Sequence, residues 1–144
     1  QIDPNWLMAV MAFETGATFS PYIKNPGSTA TGLIQFVEKT AEDLGTTTAK
    51  LSRMSAVEQL DWVYKYMNQY RGRMKSLSDT YMAVLRPTAI GKPDGYILFS
   101  APSENYIKNS GLDTATPKKG YVTKGDASRR VEQMMLQGQK YSKW

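Results

Sequence analysis

Glu14 is the residue of this chain whose position could do acid–base chemistry, because it continues the apolar stripe of a predicted helix. Asp3 is a good N-cap and Pro4 suits the first helical position, so the helix is expected to begin there. The apolar residues of the stripe are Trp6, Leu7, Val10 and Met11. Glu14 follows them at i+3 and i+4, and Thr15-Gly16 predicts the helix end. Burial favours a neutral carboxyl group and raises its pKa, as a general acid near neutral pH requires. The alternative is a solvated glutamate at a helix end.

The stretch after Glu14 has the composition of a site for a neutral, polar ligand. From Thr15 to Val37 it contains no Asp or Glu and a single Lys. Its candidate hydrogen-bonding side chains are Tyr22, Asn25, Ser28, Thr29, Thr31 and Gln35. Hydroxyl and amide groups of this kind suit a ligand rich in hydroxyls and amides, such as a sugar.

Composition narrows the possible chemistry further. The 144 residues suit one domain, 1–144, and include no cysteine and no histidine. This excludes thiol and Ser-His-Asp catalysis, disulfides and the common zinc ligand sets. Carboxylates, Lys and Tyr remain as acid–base groups, and we expect no metal and no cofactor.

The chain is basic, with 18 Lys and Arg against 13 Asp and Glu and a net charge of +5. Such a balance suggests a polyanionic partner, namely nucleic acid, an anionic membrane or bacterial cell wall. The basic residues are dispersed, and no RNA-recognition signature or zinc finger is present, so we expect no nucleic-acid partner. No run approaches the 18 or so apolar residues of a membrane span, so stable membrane insertion is not expected.

The elements that would position these residues are mainly helical. Helices are predicted over 3–14, 37–44, from the capping box Ser55–Glu58 to near Gly72, from Ser78 to Pro87, over 103–109, and over 126–141. The third helix should bury an apolar stripe of Val57, Leu60, Val63, Tyr64, Met67 and Tyr70. Met134, Met135, Leu136 and Trp62 are also expected in helical cores. Residues 46–54 are predicted to be turn-like and 111–125 irregular, while 96–99 is either a strand or a buried turn. The predicted class is mainly α with at most a small β element.

Several residues, in order and at matching spacings, resemble the lytic transglycosylase pattern of the lysozyme superfamily. They are Glu14-Thr15, Asn25-Pro26, Ser28, Ala30, Gly32-Leu33-Ile34-Gln35-Phe36 and Thr40. The resemblance covers the first 45 residues. The second half, from Leu77, is more similar to phage-encoded wall-degrading domains, notably at Tyr81-Met-Ala-Val-Leu-Arg-Pro.

This resemblance implies a lysozyme-like helical fold of two lobes with an active-site cleft. It implies cleavage of the β-1,4 bond between N-acetylmuramic acid and N-acetylglucosamine in peptidoglycan glycan strands. Glu14 would be the acid that then turns base, closing a 1,6-anhydro ring. The sugar would be held by Ser28, Gln35 and the backbone of Gly32, Leu33 and Ile34. The expected place of action is the bacterial cell wall in the periplasm, which the protein would reach from a virion or at host lysis. A monomer is expected unless the chain belongs to a larger virion protein.

A single carboxylate is consistent with that chemistry. Ordinary glycosidases flank the bond with two carboxylates, whereas the next one here is Glu38, on the following predicted helix. The absence of an obvious second acid leaves open a goose-type muramidase that places a water instead.

Departures from the family pattern leave a third possibility. Thr15 replaces the usual Ser and Ile34 the usual Met, both mild changes. The family's A-Y-N-x-G motif has its nearest counterpart at Tyr81–Leu85, where Val84 and Leu85 replace the Tyr-Asn pair. Tyr81 either supplies the missing phenol or is a core aromatic. The altered motif also admits a non-catalytic wall-binding virion module of the same fold.

A second, fainter resemblance lies at Gly120-Tyr-Val-Thr-Lys-Gly-Asp126, which is similar to the second half of a calcium-binding loop. The preceding residues 114–119 supply no carboxylate and carry two lysines, whereas calcium needs several oxygen ligands with net negative charge. We therefore interpret the segment as a turn that caps the last helix.

Overall fold

The computed structural model describes residues 2–140, and the described part of the chain is mainly helical. The α-helices are Pro4–Glu14 (α1), Glu38–Leu44 (α2), Thr48–Leu51 (α3), Ala56–Asn68 (α4), Leu77–Leu85 (α5), Glu104–Asn109 (α6) and Lys124–Gln139 (α7). The strands are Ile97–Ser100 (β1) and Tyr121–Thr123 (β2). The predicted mainly α class with a small β element is confirmed, while the lysozyme-like architecture stays a prediction. Within residues 2–140, no helix is both long and apolar enough to cross a membrane.

The chain divides into two compact units. The first unit is Met8–Arg71, which includes most of α1 together with α2, α3 and α4. The second unit contains the chain from Gly72 onward and the residues that precede Met8. Glu14 and the polar stretch that follows it belong to the first unit.

Helix α4 confirms the predicted capping box but buries a different face. The Ser55 hydroxyl accepts from the Glu58 N–H at 3.1 Å, and the Glu58 carboxylate accepts from the Ser55 N–H at 3.4 Å. The buried residues are Gln59, Val63 and Met67, a row of i, i+4 and i+8. The predicted stripe was wrong at Leu60, which is 38% exposed, and more clearly at Val57 and Tyr64, which are 76% and 66% exposed. At 100° per residue, these two lie about 160° and 140° around the helix from Gln59.

Around α4, two further elements of the first unit differ slightly from prediction. The segment expected to be turn-like contains the short helix α3, because the Thr47 hydroxyl accepts from the Lys50 N–H at 3.1 Å and caps it. Helix α4 ends at Asn68, earlier than predicted.

The core of this unit includes Val10, Met11, Leu33, Ile34, Phe36, Ala41, Leu51, Val63 and Met67.

In the second unit, the N-cap of α5 lies two residues before the predicted one. The Ser76 hydroxyl accepts from the Asp79 N–H at 3.0 Å, so Ser76, not Ser78, is the N-cap. The Ser78 hydroxyl instead hydrogen-bonds that of Ser128 on α7. Helix α5 ends at Leu85, and Pro87 opens a 3₁₀ turn, in agreement with the predicted stop.

The apolar run at 96–99 forms a strand. Strand β1 pairs antiparallel with β2, with Ile97 opposite Thr123 and Phe99 opposite Val122, and the register shifts between Ile97 and Phe99. Its partner β2 lies within residues 111–125, which were wrongly predicted to be irregular throughout. Leu98 is buried within this unit.

Helix α7 begins at Lys124 rather than Asp126. Thr123 and Asp126 form a capping box, since the Thr123 hydroxyl accepts from the Asp126 N–H and the Asp126 carboxylate from the Thr123 N–H. The core face of α7 is Ala127, Ser128 and Val131. The expected core placement of the later residues was wrong for Leu136, which is 62% exposed, while Met134 and Met135 are half-buried, as is Trp62. The predicted helix end at Tyr141 lies outside the described residues.

Candidate active site

Glu14 is the last residue of α1, and the backbone turns sharply after it. The Ala17 N–H donates to the Ala12 carbonyl at 2.7 Å and the Gly16 N–H to that of Phe13 at 3.3 Å. This pair of bonds is the Schellman arrangement, which requires a left-handed residue just past the helix, here Gly16 with φ +60°. The predicted helix end is therefore confirmed, and Glu14 stands at the junction of helix and loop.

The carboxyl group of Glu14 has the acid strength expected of a general acid. The residue is half-buried, and burial of the carboxyl group raises its pKa from 4.5 to about 7. A group with this pKa is partly protonated at neutral pH, so it can both give and take a proton there.

Thr15 fixes the chain direction immediately after the carboxylate. Its side chain is fully buried, and its hydroxyl donates to the Met11 carbonyl at 2.7 Å. The same oxygen accepts from the Phe19 N–H at 2.9 Å. One hydroxyl thus ties the last turn of α1 to the start of the loop.

The loop that follows is a small, irregular ladder of backbone hydrogen bonds. Thr31 exchanges two bonds of 2.9 Å with Phe36, and on its other side Lys24 pairs with Thr31 in an isolated bridge. The Gly32 N–H donates to the Ile23 carbonyl at 2.8 Å. Residues 23–25, 30–32 and 36 are therefore held side by side, although no regular strand forms there.

The turn Gly32–Gln35 presents backbone and one amide rather than apolar side chains. Leu33 and Ile34 are buried, at 2% and 3% exposure, so their side chains belong to the core. Gln35 adopts φ +57°, and its Nε2 donates to the carbonyls of Gly32 at 3.0 Å and Ile23 at 3.2 Å. Both donors of this amide hold the loop, and its oxygen accepts no hydrogen bond from any described residue, so that oxygen is the part of Gln35 suited to a ligand.

Gln59, which the sequence reasoning did not single out, holds this turn from α4. Its Oε1 accepts from the Leu33 N–H at 2.8 Å, and its Nε2 donates to the carbonyls of Pro21 at 2.8 Å and Leu51 at 2.9 Å. The side chain is fully buried. A signal existed: Gln59 precedes Val63 and Met67 at four-residue spacing, which places a polar residue in a buried row.

Gly32 is adapted to this amide. It adopts φ +84°, which favours glycine, and a Cβ there would overlap the Gln59 side chain and come within 2.8 Å of the Pro21 carbonyl oxygen. Gly32 was predicted to offer its backbone to a ligand, and close packing against Gln59 and Pro21 is a second reason for a glycine at this position.

Ser28 lies at an exposed tip of the same loop. Its hydroxyl accepts from the Ala30 N–H at 3.0 Å, and the Asn25 side-chain oxygen accepts from the Gly27 N–H at 2.9 Å. Both side chains shape a tight turn and remain exposed to solvent. Tyr22 is also exposed, at 66%.

Glu38, the next carboxylate after Glu14, caps a neighbouring helix. Its Oε2 accepts from the Thr48 N–H at 3.1 Å and from the Thr48 hydroxyl, at the start of α3. The Thr48 hydrogen bonds hold the pKa of Glu38 below its usual value. This carboxylate serves the local structure as an ionised acceptor.

The predicted site residues are divided between the two units. Glu14, Ser28, Gly32, Leu33, Ile34 and Gln35 belong to the first unit. Tyr81 belongs to the second, on α5, where it is 2% exposed. Its role as a phenol in the site stays a prediction, and so does its alternative role as a core aromatic.

The segment that resembles a calcium loop carries its own cations. The Lys119 ammonium lies 2.6 Å from Asp126 Oδ2 and 3.8 Å from Asp113 Oδ1. The Lys118 ammonium donates to the carbonyls of Ser110 and Asp113 at 2.8 and 2.7 Å. The ammonium groups of two lysines thus already bind oxygen atoms of this loop. Asp126 also belongs to the capping box of α7. Among residues 2–140 there is no cluster of three or more metal-ligating side chains.

A comparison with protein-family models finds no family that matches this chain, and a comparison with curated proteins finds no matching relative. Support for a function therefore comes from the chain's own residues and from the resemblance in its first 45 residues.

Proposed function

We propose that this protein is a peptidoglycan lytic transglycosylase that cleaves the β-1,4 bond between N-acetylmuramic acid and N-acetylglucosamine. The observation that carries the proposal is the carboxyl group of Glu14. It stands at a helix end, with a pKa raised to about 7 by burial, directly before a loop of polar backbone and amide groups.

Glu14 acts twice in the proposed reaction. Its neutral form donates a proton to the glycosidic oxygen as the bond to the anomeric carbon breaks. The substrate's own acetamido group stabilises the positive charge that develops at that carbon. The resulting Glu14 carboxylate then takes the proton from the 6-hydroxyl of the muramic acid, whose oxygen attacks the anomeric carbon and closes the 1,6-anhydro ring. Glu14 ends the cycle protonated, as it began.

The surroundings of Glu14 support a reaction that uses one carboxylate. Glu38 is engaged with Thr48, so it is unsuited to act as a nucleophile or as a base for water. The exposed turn around Ser28 and the amide oxygen of Gln35 offer hydrogen-bonding groups to sugar hydroxyl and acetamido groups. The backbone of Gly32, Leu33 and Ile34 is proposed to complete the sugar-binding surface of this unit.

The biological setting follows from the substrate. The proposed partner is the glycan strand of peptidoglycan, and the proposed place of action is the bacterial cell wall. The similarity of the second half to phage wall-degrading domains favours a phage-encoded enzyme, acting as a monomer from the virion or at host lysis.

The test is mass spectrometry of purified murein sacculi after incubation with the protein. Fragments ending in 1,6-anhydromuramic acid support the proposal. Reducing muramic acid ends would instead show a muramidase that places a water. Binding to sacculi with no released fragments would favour a non-catalytic wall-binding module. This alternative is considered because Val84 and Leu85 stand where the family pattern has a Tyr-Asn pair.

A further inference from the structure

We propose that Gln59 is a positioning residue for the sugar-binding loop, so that substrate affinity depends on an amide that touches no substrate. The inference rests on the proposed function, since it assigns the loop between Pro21 and Gln35 to the glycan strand. It concerns residues of the Met8–Arg71 unit alone.

The hydrogen bonds of Gln59 join segments that are distant in the chain. From α4 the amide reaches Leu33, 26 residues earlier, Pro21, 38 residues earlier, and Leu51, 8 residues earlier. Pro21 and Leu33 are near the two ends of the loop that carries Asn25 and Ser28. One side chain thus sets the separation between the Pro21 carbonyl and the Leu33 N–H, while the Leu51 carbonyl holds the amide itself in the core.

The chemistry of the position demands a neutral amide. Two carbonyl oxygens face Nε2 and one N–H faces Oε1, so the site needs two donors and one acceptor on a single planar group. A carboxylate of the same shape would present oxygen to both carbonyls. A methionine would remove the Gln59 partner of the Leu33 N–H and of the Pro21 carbonyl, while the Leu51 carbonyl would keep its bond from the Met54 N–H at 3.1 Å. Because the amide is fully buried, water cannot easily replace these bonds.

The loop segments that the amide fixes are those expected to hold the sugar. The Leu33 N–H belongs to the turn Gly32–Gln35, whose Gln35 amide in turn holds Ile23 and Gly32. If the Leu33 peptide moves, the Gln35 oxygen moves with it. Glu14, by contrast, is fixed by α1 and by the Thr15 hydroxyl. Loss of Gln59 should therefore weaken substrate binding more than it slows the chemical step.

The experiment measures KM and kcat on uncrosslinked murein glycan strands for Gln59→Met, which keeps the length of the side chain and removes its hydrogen bonds. The matched control is Gln69→Met. Gln69 is exposed just after α4, and its side chain donates to the nearby Tyr66 carbonyl at 3.0 Å. Gln59→Asn, which keeps the amide but withdraws it by one methylene, is the milder variant if Gln59→Met does not fold.

We expect KM to rise by about tenfold or more in Gln59→Met while kcat stays within about threefold, the split that a loss of binding geometry produces. A merely structural role would lower the unfolding temperature and leave the KM of the folded protein equal to that of Gln69→Met. That equality, with an active wild type, would overturn the role of Gln59 and leave the proposed function standing. A wild type that neither cleaves nor binds the strands would overturn both.

Discussion

The Thr48 N–H donates to the Glu38 carboxylate at 3.1 Å, and the Thr48 hydroxyl donates to the same oxygen. The acid that follows Glu14 in the sequence is thereby used to begin α3. Its pKa is lowered by the Thr48 hydroxyl and N–H, whereas that of Glu14 is raised by burial. The pKa values of these two carboxyl groups are thus shifted in opposite directions, and of the two only Glu14 has the protonation behaviour of a general acid.

Replacing each acid by its amide should separate their roles. Glu14→Gln should lower kcat on murein by at least about 100-fold, the contribution typical of a positioned acid or base, without loss of the fold. Glu38→Gln should keep kcat within about threefold, because an amide oxygen can still accept from Thr48. The measurement is release of soluble glycan fragments, with circular dichroism as the check on folding. Full activity in Glu14→Gln would remove Glu14 from the mechanism.

The pH dependence of the rate should report the Glu14 pKa. Cleavage begins with proton donation, so kcat/KM for the wild type should fall as pH rises through about 7, where Glu14 loses its proton. The falling limb should approach a tenfold decrease per pH unit. Initial rates on sacculi between pH 5 and about 9 would show it. A rate that stays constant between about pH 6 and 9 would contradict a catalytic proton on this residue.

Stability should respond to the same group. The folded protein holds the Glu14 proton more tightly than the unfolded chain does, since burial raises the pKa from 4.5 to about 7. Between those two values the folded state binds more protons, so the wild type should lose stability as pH rises through that window. The loss has a ceiling of about 3.5 kcal/mol, because each pKa unit corresponds to about 1.4 kcal/mol.

The Glu14→Gln variant has no titrating group at this position and serves as the comparison. The difference between its free energy of unfolding and that of the wild type should be small near pH 4 and grow toward pH 8, where urea denaturation would measure it. A difference that is the same at both pH values would contradict a buried, titrating carboxyl group.

In the second unit, removal of one partner from the buried ion pair of Asp79 and Lys124 should be strongly destabilising. The Lys124 ammonium lies 2.6 Å from Asp79 Oδ1, with both side chains at least nine-tenths buried. Burial alone would raise the pKa of Asp79, but hydrogen bonds from Lys124, Gly91 and Lys75 lower it below its usual value. Lys124→Met would leave that carboxylate without its cation and should cost about 3–5 kcal/mol.

The control is Lys108→Met, which removes an exposed pair with Glu104 at 3.4 Å and should cost less than about 0.5 kcal/mol. Chemical denaturation of the two variants gives the comparison. Equal losses would mean that the buried pair contributes no more than the surface one. The double variant Asp79→Asn/Lys124→Met should recover part of the loss, because no uncompensated charge remains.

Local chemistry made much of this structure predictable. The Ser55–Glu58 capping box, the short helix predicted over 103–109 and the helix end after Glu14 all depend on residues close together in the sequence. The position of Glu14 at the edge of a core followed from the same short-range periodicity.

The rest depended on partners that are distant in sequence. Helix α4 has two apolar rows, and only its packing decides that the row of Gln59 is buried while Val57 is exposed. Strand β1 needs β2, more than 20 residues later, before an apolar run becomes a strand. The hydrogen bonds of Gln59 to Leu33 and Pro21 span 26 and 38 residues, beyond the reach of any local pattern.

The close fit of Gly32 to the Gln59 amide has a consequence for inheritance. A methyl group at position 32 would overlap the amide and approach the Pro21 carbonyl, while a smaller side chain at position 59 would leave the Leu33 N–H without its acceptor. Neither residue can change without penalising the other, so substitutions at the two positions should be epistatic. Descendants of this chain should therefore keep the glycine and the glutamine together or lose them together.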